Sequence, residues 1–265
     1  MNKTELLDKY ARDGESRLLL ARVLDQQQRA DQRGIPTHTA FLSPAEQAMS
    51  ADLLMAAAPG QGVLHGGYAD AERKLWGFLP DWLDEDLWLA GEDCPLAALE
   101  VKTPKGAKLT HRDYLGSLMG LGITREKIGD ILIGETGAQV IVLRETLPIL
   151  LAQWEKAGRY PVTLTPLPLD QLVPTPGETK EVRATVASVR LDAVVSAGFS
   201  IPRSRAADLI RGGRVMVNHR PCEKTDKVVE AGDVLTCRGL GKCVLTEIGG
   251  TSKRGRTILT LQRYL

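Results

Sequence analysis

The side chains with the most evident chemistry crowd together near the C-terminus. Arg190 stands just before a short helix expected over about Leu191 to Ala197, Arg203, Ser204 and Arg205 open a second helix expected over Arg203 to Arg211, and Arg214 follows its end. At about 100° per residue, Ala206, Leu209 and Ile210 gather on one side of that second helix. Ser204, Arg205, Asp208 and Arg211 then face outward. A guanidinium is a planar, permanently charged fork that pairs bidentately with phosphate and stacks on a base, so several of them on one small scaffold suit a polyanion. Asn218, in the turn of the next hairpin, and Lys242, Lys253, Arg254 and Arg256 extend this candidate surface. The competing reading is a solvated face whose arginines pair with Asp192, Asp208 and Asp233.

Composition sharpens the choice. Over all 265 residues, 34 Lys+Arg nearly balance 33 Asp+Glu, and a net charge of +1 gives no reason to expect a nucleic-acid partner. Residues 181–265, however, hold 15 basic and 8 acidic side chains, for +7, and the remainder holds 19 and 25, for −6. A basic segment is attached to an acidic one. The hydrophobic content of 43% excludes disorder and collagen-like structure. The longest apolar runs, 131–133 and 139–143, are far too short to span a bilayer, and the polar start Asn2-Lys3-Thr4-Glu5 is unlike a signal peptide. Cys94, Cys222, Cys237 and Cys243 form neither a Cys-x-x-Cys pair nor a disulfide framework, which points to a reduced, cytoplasmic protein.

The elements that must position these residues follow from periodicity and punctuation. Residues 1–69 read as a helical region: a short helix, a longer one carrying Leu18, Leu19, Leu20, Val23 and Leu24, and a third opened by the capping box Ser43-Pro44-Ala45-Glu46 and closed by Pro59-Gly60. Residues 70–164 read as an α+β domain. From Leu96 onward its expected order is strand, helix, strand, strand, helix, strand, the split β-α-β order of ferredoxin-like and RRM-like domains. Residues 165–180, with Pro166, Pro168, Pro174 and Pro176, read as an extended linker, and 181–265 as a small unit of two helices and several strands.

An RRM-like sheet invites RNA onto its face, where aromatic side chains of the central strands stack on bases. Here the corresponding strands read Ala98-Leu99-Glu100-Val101 and Gln139-Val140-Ile141-Val142, without an aromatic residue. Stacking on that sheet is not expected. A secondary candidate is the turn containing Gly120 and Gly122 together with Arg112, Arg125 and Lys127, where backbone amides and cations could meet phosphate. The alternative is that these glycines close a helix and the charges are solvated. Nothing calls for a cofactor or a metal: no phosphate-loop or dinucleotide signature appears, and His38, His65, His111 and His219 lack metal-ligand spacing. The tryptophans Trp76, Trp82, Trp88 and Trp154 read as core or interface residues outside the basic segment.

Two resemblances add to this reading. Arg190-Leu191-Asp192, Ala197-Gly198-Phe199, Arg203 to Ile210, Gly213 to Asn218 and Ala231-Gly232-Asp233-Val234-Leu235 resemble, in order and spacing, the S4 RNA-binding domain. Pro202 stands where such domains commonly have Ser, and Asn218-His219 replaces their common Asn-Gly turn. Gly66-Gly67-Tyr68, Ala71-Glu72-Arg73-Lys74, His111 to Ile123 and Arg125 to Asp130 are similar to YlmH-type bacterial RNA-binding proteins, a likeness that covers nearly the whole chain. The resemblance implies a helical N-terminal region, an RRM-like middle domain and a C-terminal S4 domain. It further implies association with the large ribosomal subunit, contacts to ribosomal RNA and tRNA, and a role in ribosome-associated quality control of stalled translation, with no membrane or small-molecule partner. Two other classes stay open at this level. One is an RNA-modifying enzyme of the pseudouridine synthase type, for which the Asp in Arg190-Leu191-Asp192 is the candidate to examine, and the other is an adaptor using the acidic N-terminal part.

Overall fold

The computed structural model describes residues 2–174, 177–252 and 255–264, and the chain divides into two compact units, 1–175 and 176–265. In the first unit, helices α1 (Lys3–Tyr10) and α2 (Gly14–Arg33) both start under capping boxes, Asn2 with Glu5 and Asp13 with Ser16. Strand β1 (Thr37–His38) follows, then α3 (Pro44–Ala57), which opens on the expected box: the Glu46 amide donates to Ser43 Oγ and the Ser43 amide donates to the Glu46 carboxylate. The apolar stripe of α2 buries Leu20 and Leu24 against Leu6, Leu7 and Leu53.

Strands β2 (Val63–His65) and β3 (Leu75–Phe78) join β1 in a sheet of order β1-β3-β2. The stretch 1–69 is therefore not purely helical, and a division at residue 70 cuts through this sheet. Strands of two and three residues carry too little alternation to stand out from loops in the sequence. Helix α4 (Glu85–Ala90) then places Trp88 in the core.

The middle of the chain supplies β4 (Leu96–Lys102), α5 (His111–Gly120), β5 (Ile128–Gly134), β6 (Gly137–Leu143), α6 (Leu147–Gln153), a small hairpin of β7 (Lys156–Ala157) and β8 (Tyr160–Pro161), and β9 (Thr163–Leu167). The sheet order is β5-β6-β4-β9, and each neighbouring pair is antiparallel. The expected linker begins too early: Thr165, Pro166 and Leu167 pair with Glu100, Leu99 and Ala98. Pro166 is tolerated because β9 is an edge strand, where a missing amide leaves no partner unpaired. Leu167, Leu169 and Leu172 also pack against the core, so the domain continues through them, and residues 175 and 176 of the expected linker lie outside the described residues.

Both faces of this sheet are covered. Leu99, Val101, Val140 and Val142 meet Tyr114, Leu118, Leu150 and Trp154 on the helical side. Ala98, Leu96, Ile141 and Leu143 meet Phe41, Leu75 and Trp88 on the other. That burial on two sides explains why these strands read as continuous apolar runs.

One carboxylate ties the segment around Gly66–Lys74 to the sheet. Asp130 on β5 accepts hydrogen bonds from Tyr68 Oη at 2.8 Å and from the amides of Glu72 and Arg73 at 2.7 and 3.0 Å. The half-buried Arg73 guanidinium donates in turn to the carbonyls of Phe41, Arg125 and Ile128. Burial and the neighbouring Asp130 push the Tyr68 hydroxyl well above its ordinary pKa, so it acts as a donor at all physiological pH. Asp130→Ala should destabilise this unit by about 3 kcal/mol, because three donors lose a charged acceptor. The four tryptophans all lie in residues 1–175, so a lowered denaturation midpoint in tryptophan fluorescence reads that loss directly.

The second unit begins with β10 (Thr179–Val186) and continues through α7 (Leu191–Phe199), α8 (Arg203–Arg211), β11 (Val215–Val217), β12 (Arg220–Pro221), β13 (Val234–Cys237), β14 (Gly241–Thr251) and β15 (Thr257–Tyr264). The sheet order is β10-β15-β14-β13-β11-β12. Leu191, Val194 and Val195 of α7 and Ala206 and Ile210 of α8 pack with Leu235, Cys243, Leu245, Leu259 and Leu261. The β11–β12 hairpin closes on Asn218 and His219 at φ +50° and +64°, the pair of left-handed residues that a two-residue turn of the mirror type needs. The turn geometry thus survives without glycine.

Helix α7 lies so close to β14 that a Cβ on Gly198 would stand 2.7 Å from Cys243 Sγ. Gly198→Ala should therefore cost about 1–3 kcal/mol of this unit's stability, the scale of overpacking a filled core. Circular dichroism should detect the shift while the tryptophan transition stays in place, and adding Cys243→Ala should recover most of it.

Candidate nucleic-acid interface

The basic surface is built on α8 and its flanks. Its apolar side, Ala206 and Ile210, is fully buried, and Arg203, Ser204, Arg205 and Arg211 are exposed. Pro202 occupies the N-cap and supplies no side-chain hydrogen bond, and the first turn holds no acidic residue. The positive end of the helix thus carries added cations instead of a capping oxygen.

Two of the arginines are held by a buried acid. Asp192, 6% exposed in the first turn of α7, accepts hydrogen bonds from Arg203 Nε at 2.9 Å and from the Ala193 amide at 2.9 Å. Arg203 Nη2 lies 2.9 Å from the same Asp192 oxygen, and Arg190 Nε lies 3.4 Å from the other. The Arg190 Nε atom is itself buried and has no hydrogen-bond partner among the described residues. The amides of Leu191 and Asp192 donate to the carbonyls of Lys227 and Thr225, which fixes the start of α7 and with it the acid.

The remaining candidates divide. Arg205 and Arg214 both approach Cys237, where burial raises the thiol pKa and these two cations oppose the rise. Arg214 also donates through Nη2 to the carbonyl of Arg238 at 3.1 Å. The exposed Arg238 therefore belongs to the surface, although its isolated position in the sequence did not mark it. The pairing of Val215 with Cys237 is the signal that brings Arg214 and Arg238 side by side. Arg211 forms an exposed pair with Asp208 at 3.5 Å, a contact that a phosphate can displace at little cost.

Asn218 has a structural task. Its amide group donates to Asp233 at 2.7 Å and its oxygen accepts from the Val234 amide at 2.9 Å, which locks the hairpin to β13. Lys242 stands over the Tyr264 ring at 4.1 Å, and Arg256 donates to the Thr185 carbonyl at 2.7 Å. Lys253 and Arg254 fall outside the described residues.

The secondary candidates of the middle domain do not assemble as expected. The amides of Leu121 and Gly122 donate to Leu118 and Met119 carbonyls and close the C-terminus of α5. A helix C-terminus presents carbonyls and a negative dipole end, the wrong polarity for phosphate. Gly120 is the last residue of that helix. Arg125 donates to the carbonyls of Ile128 and Gly129, and burial together with Arg73 pulls its pKa down to about 10. Lys127 pairs with Glu145 at 2.9 Å, whereas Arg112 is exposed. The broad faces of the sheet are both occupied, so the missing aromatics coincide with a missing free surface. Among the described residues no cluster of three or more His, Cys, Asp or Glu could hold a metal, and no helix is long and apolar enough to cross a membrane.

Comparison with known proteins follows the same layout. Residues 15–77 match the family described as "YlmH, N-terminal", residues 90–171 the "Putative RNA-binding domain in YlmH", and residues 189–235 the "S4 domain". The first match runs past residue 70 to the end of the small sheet. The chain is 36% identical over 231 residues to "Ribosome-associated protein quality control protein P2" of Bacillus subtilis (strain 168), which covers 85% of this chain and 86% of that protein. Among solved structures, "Cell division protein ylmH from Streptococcus pneumoniae" aligns with a TM-score of 0.49 and 24% identity, over 61% of this chain and 96% of that one. This chain belongs to the YlmH family and carries its S4 domain at the C-terminal end.

Proposed function

We propose that the protein is a non-catalytic, cytoplasmic RNA-binding factor that grips structured RNA at the ribosome through the arginine face of α8 and its neighbours. The observation that carries this reading is the exposed set Arg203, Arg205, Arg211, Arg214 and Arg238 on one S4 scaffold of net positive charge, with Arg190 beside it. Phosphate contacts of this kind position a protein on RNA, and shape selects the site. Arg256, Lys242, Lys253 and Arg254 give flanking electrostatic support.

The finer assignment is to the large ribosomal subunit, with contacts to ribosomal RNA and tRNA, in quality control of stalled translation. The relative named as a ribosome-associated quality control protein supports it, as does the family's RNA-binding profile over residues 90–171. We read the middle domain as ferredoxin-like and RRM-like, a reading that its strand order β5-β6-β4-β9 supports, and assign it recognition through loops and edges, Arg112 among them, since neither sheet face is free. The pseudouridine synthase alternative finds no support in Asp192, whose carboxylate is buried and committed to arginines instead of facing a substrate.

Arg205→Ala combined with Arg211→Ala should weaken binding to purified ribosomal particles and reduce the slope of log affinity against log salt by roughly 1.4 to 1.8, the value for two lost phosphate contacts. Unchanged affinity and slope would show that this face is not the anchor. Incubation of the protein with unmodified ribosomal RNA, followed by nucleoside mass analysis, should return only unmodified nucleosides. Stoichiometric modification abolished by Asp192→Asn would establish an enzyme instead.

A further inference from the structure

Of the six arginines on this surface, Arg190 included, two, Arg190 and Arg203, converge on one buried carboxylate. We propose that Asp192 is a positioning residue for RNA binding: an acid inside a basic surface that raises affinity by holding Arg190 and Arg203 in a fixed, outward-reaching arrangement. The inference rests on the reading of the basic unit as the RNA anchor and makes a claim opposite in sign to charge counting.

The geometry carries the argument in three steps. First, Asp192 is buried, so its pull on the two guanidinium groups is weakly screened by salt, and those two cations neutralise it before its field reaches the RNA side. Second, the carboxylate engages Arg203 through both Nε and Nη2, which leaves Nη1 and the outer edge of Nη2 as the donors still available on a side chain about half exposed. A guanidinium pinned along one edge has lost the rotamer freedom that phosphate binding would otherwise have to remove. Third, Arg190 approaches the other carboxylate oxygen at 3.4 Å with a buried Nε that no acceptor among the described residues satisfies. Arg190, the N-cap residue of α7, and Arg203, the first residue of α8, are both oriented by this one acid on α7. The acid thus sets the spacing between cations on two different helices, and its own position is fixed by the Ala193 amide and by the loop carbonyls that bind the start of α7.

The test compares Asp192→Asn with wild type in the full chain, with total ribosomal RNA and a heparin column as the two probes. Asn keeps the shape and an acceptor for Ala193 but gives up the charge. Expected are roughly ten-fold weaker RNA binding, the scale of one charge-assisted hydrogen bond, a smaller salt slope, and heparin retention equal to or longer than wild type because net charge rises by one. In an Arg190→Ala plus Arg203→Ala background the same change should have little further effect on RNA affinity. Equal or tighter RNA binding by Asp192→Asn, with Arg205→Ala plus Arg211→Ala still impaired, would overturn the positioning role and leave the anchor standing. If Asp192→Asn loses its thermal transition, Arg203→Lys decides: it keeps the charge and abolishes the fork, and wild-type affinity in that variant would overturn the proposal.

Discussion

Like charges gathered on a small scaffold repel one another, and the C-terminal unit must place several guanidinium groups within one helix length without losing its fold. At contact distance two unit charges cost about 1 kcal/mol even in bulk water and more near a protein surface. A single buried carboxylate relieves part of this. Asp192 neutralises two cations and takes a backbone amide, so its own desolvation is offset by partners on three sides. The first unit solves a different problem with the same device: Asp130 gathers Tyr68 and two amides, and Arg73 spans three carbonyls. In both units an ion that is costly to bury is stabilised by having every neighbour arranged around it.

Much of this architecture is legible in the sequence because it rests on local rules. The α8 face follows from a 3.6-residue period, and the start of α3 from Ser43 and Glu46. The order of elements from Leu96 to Leu167 follows from short apolar runs and turn residues. The failures come where tertiary pairing decides. Pro166 looks like a linker residue until β9 is known to be an edge. Arg125 looks like a free cation until the carbonyls of Ile128 and Gly129 are brought to it. Arg238 looks isolated until β11 and β13 pair, and Lys242 reads as a flanking cation until Tyr264 is found beneath it. Side-chain type reads well from sequence, but the partner that consumes or frees a side chain is a property of the fold.

The two units also differ in what kind of recognition they can offer. The middle sheet is sealed on one side by α5 and α6 and on the other by Phe41, Leu75 and Trp88. A surface that would be a platform in an open sheet has become a core. Its apolar strands gain stability from this second layer, and any contacts it makes with other molecules are confined to loops and edges. The basic unit instead presents exposed Arg203, Arg205 and Arg211 on α8.

The two-residue strand Arg220–Pro221 at the margin of the six-stranded sheet has a consequence for behaviour in crowded surroundings. Cationic proteins stay apart by mutual repulsion, and a bound polyanion cancels that repulsion just as it concentrates many copies on one template. Exposed sheet margins then become the route to strand-by-strand stacking. Here that margin is too short to template another chain and ends in a residue without an amide hydrogen, and the opposite margin, β10, carries Lys180, Glu181 and Arg183. Both margins of the sheet are therefore poor templates for strand-by-strand association.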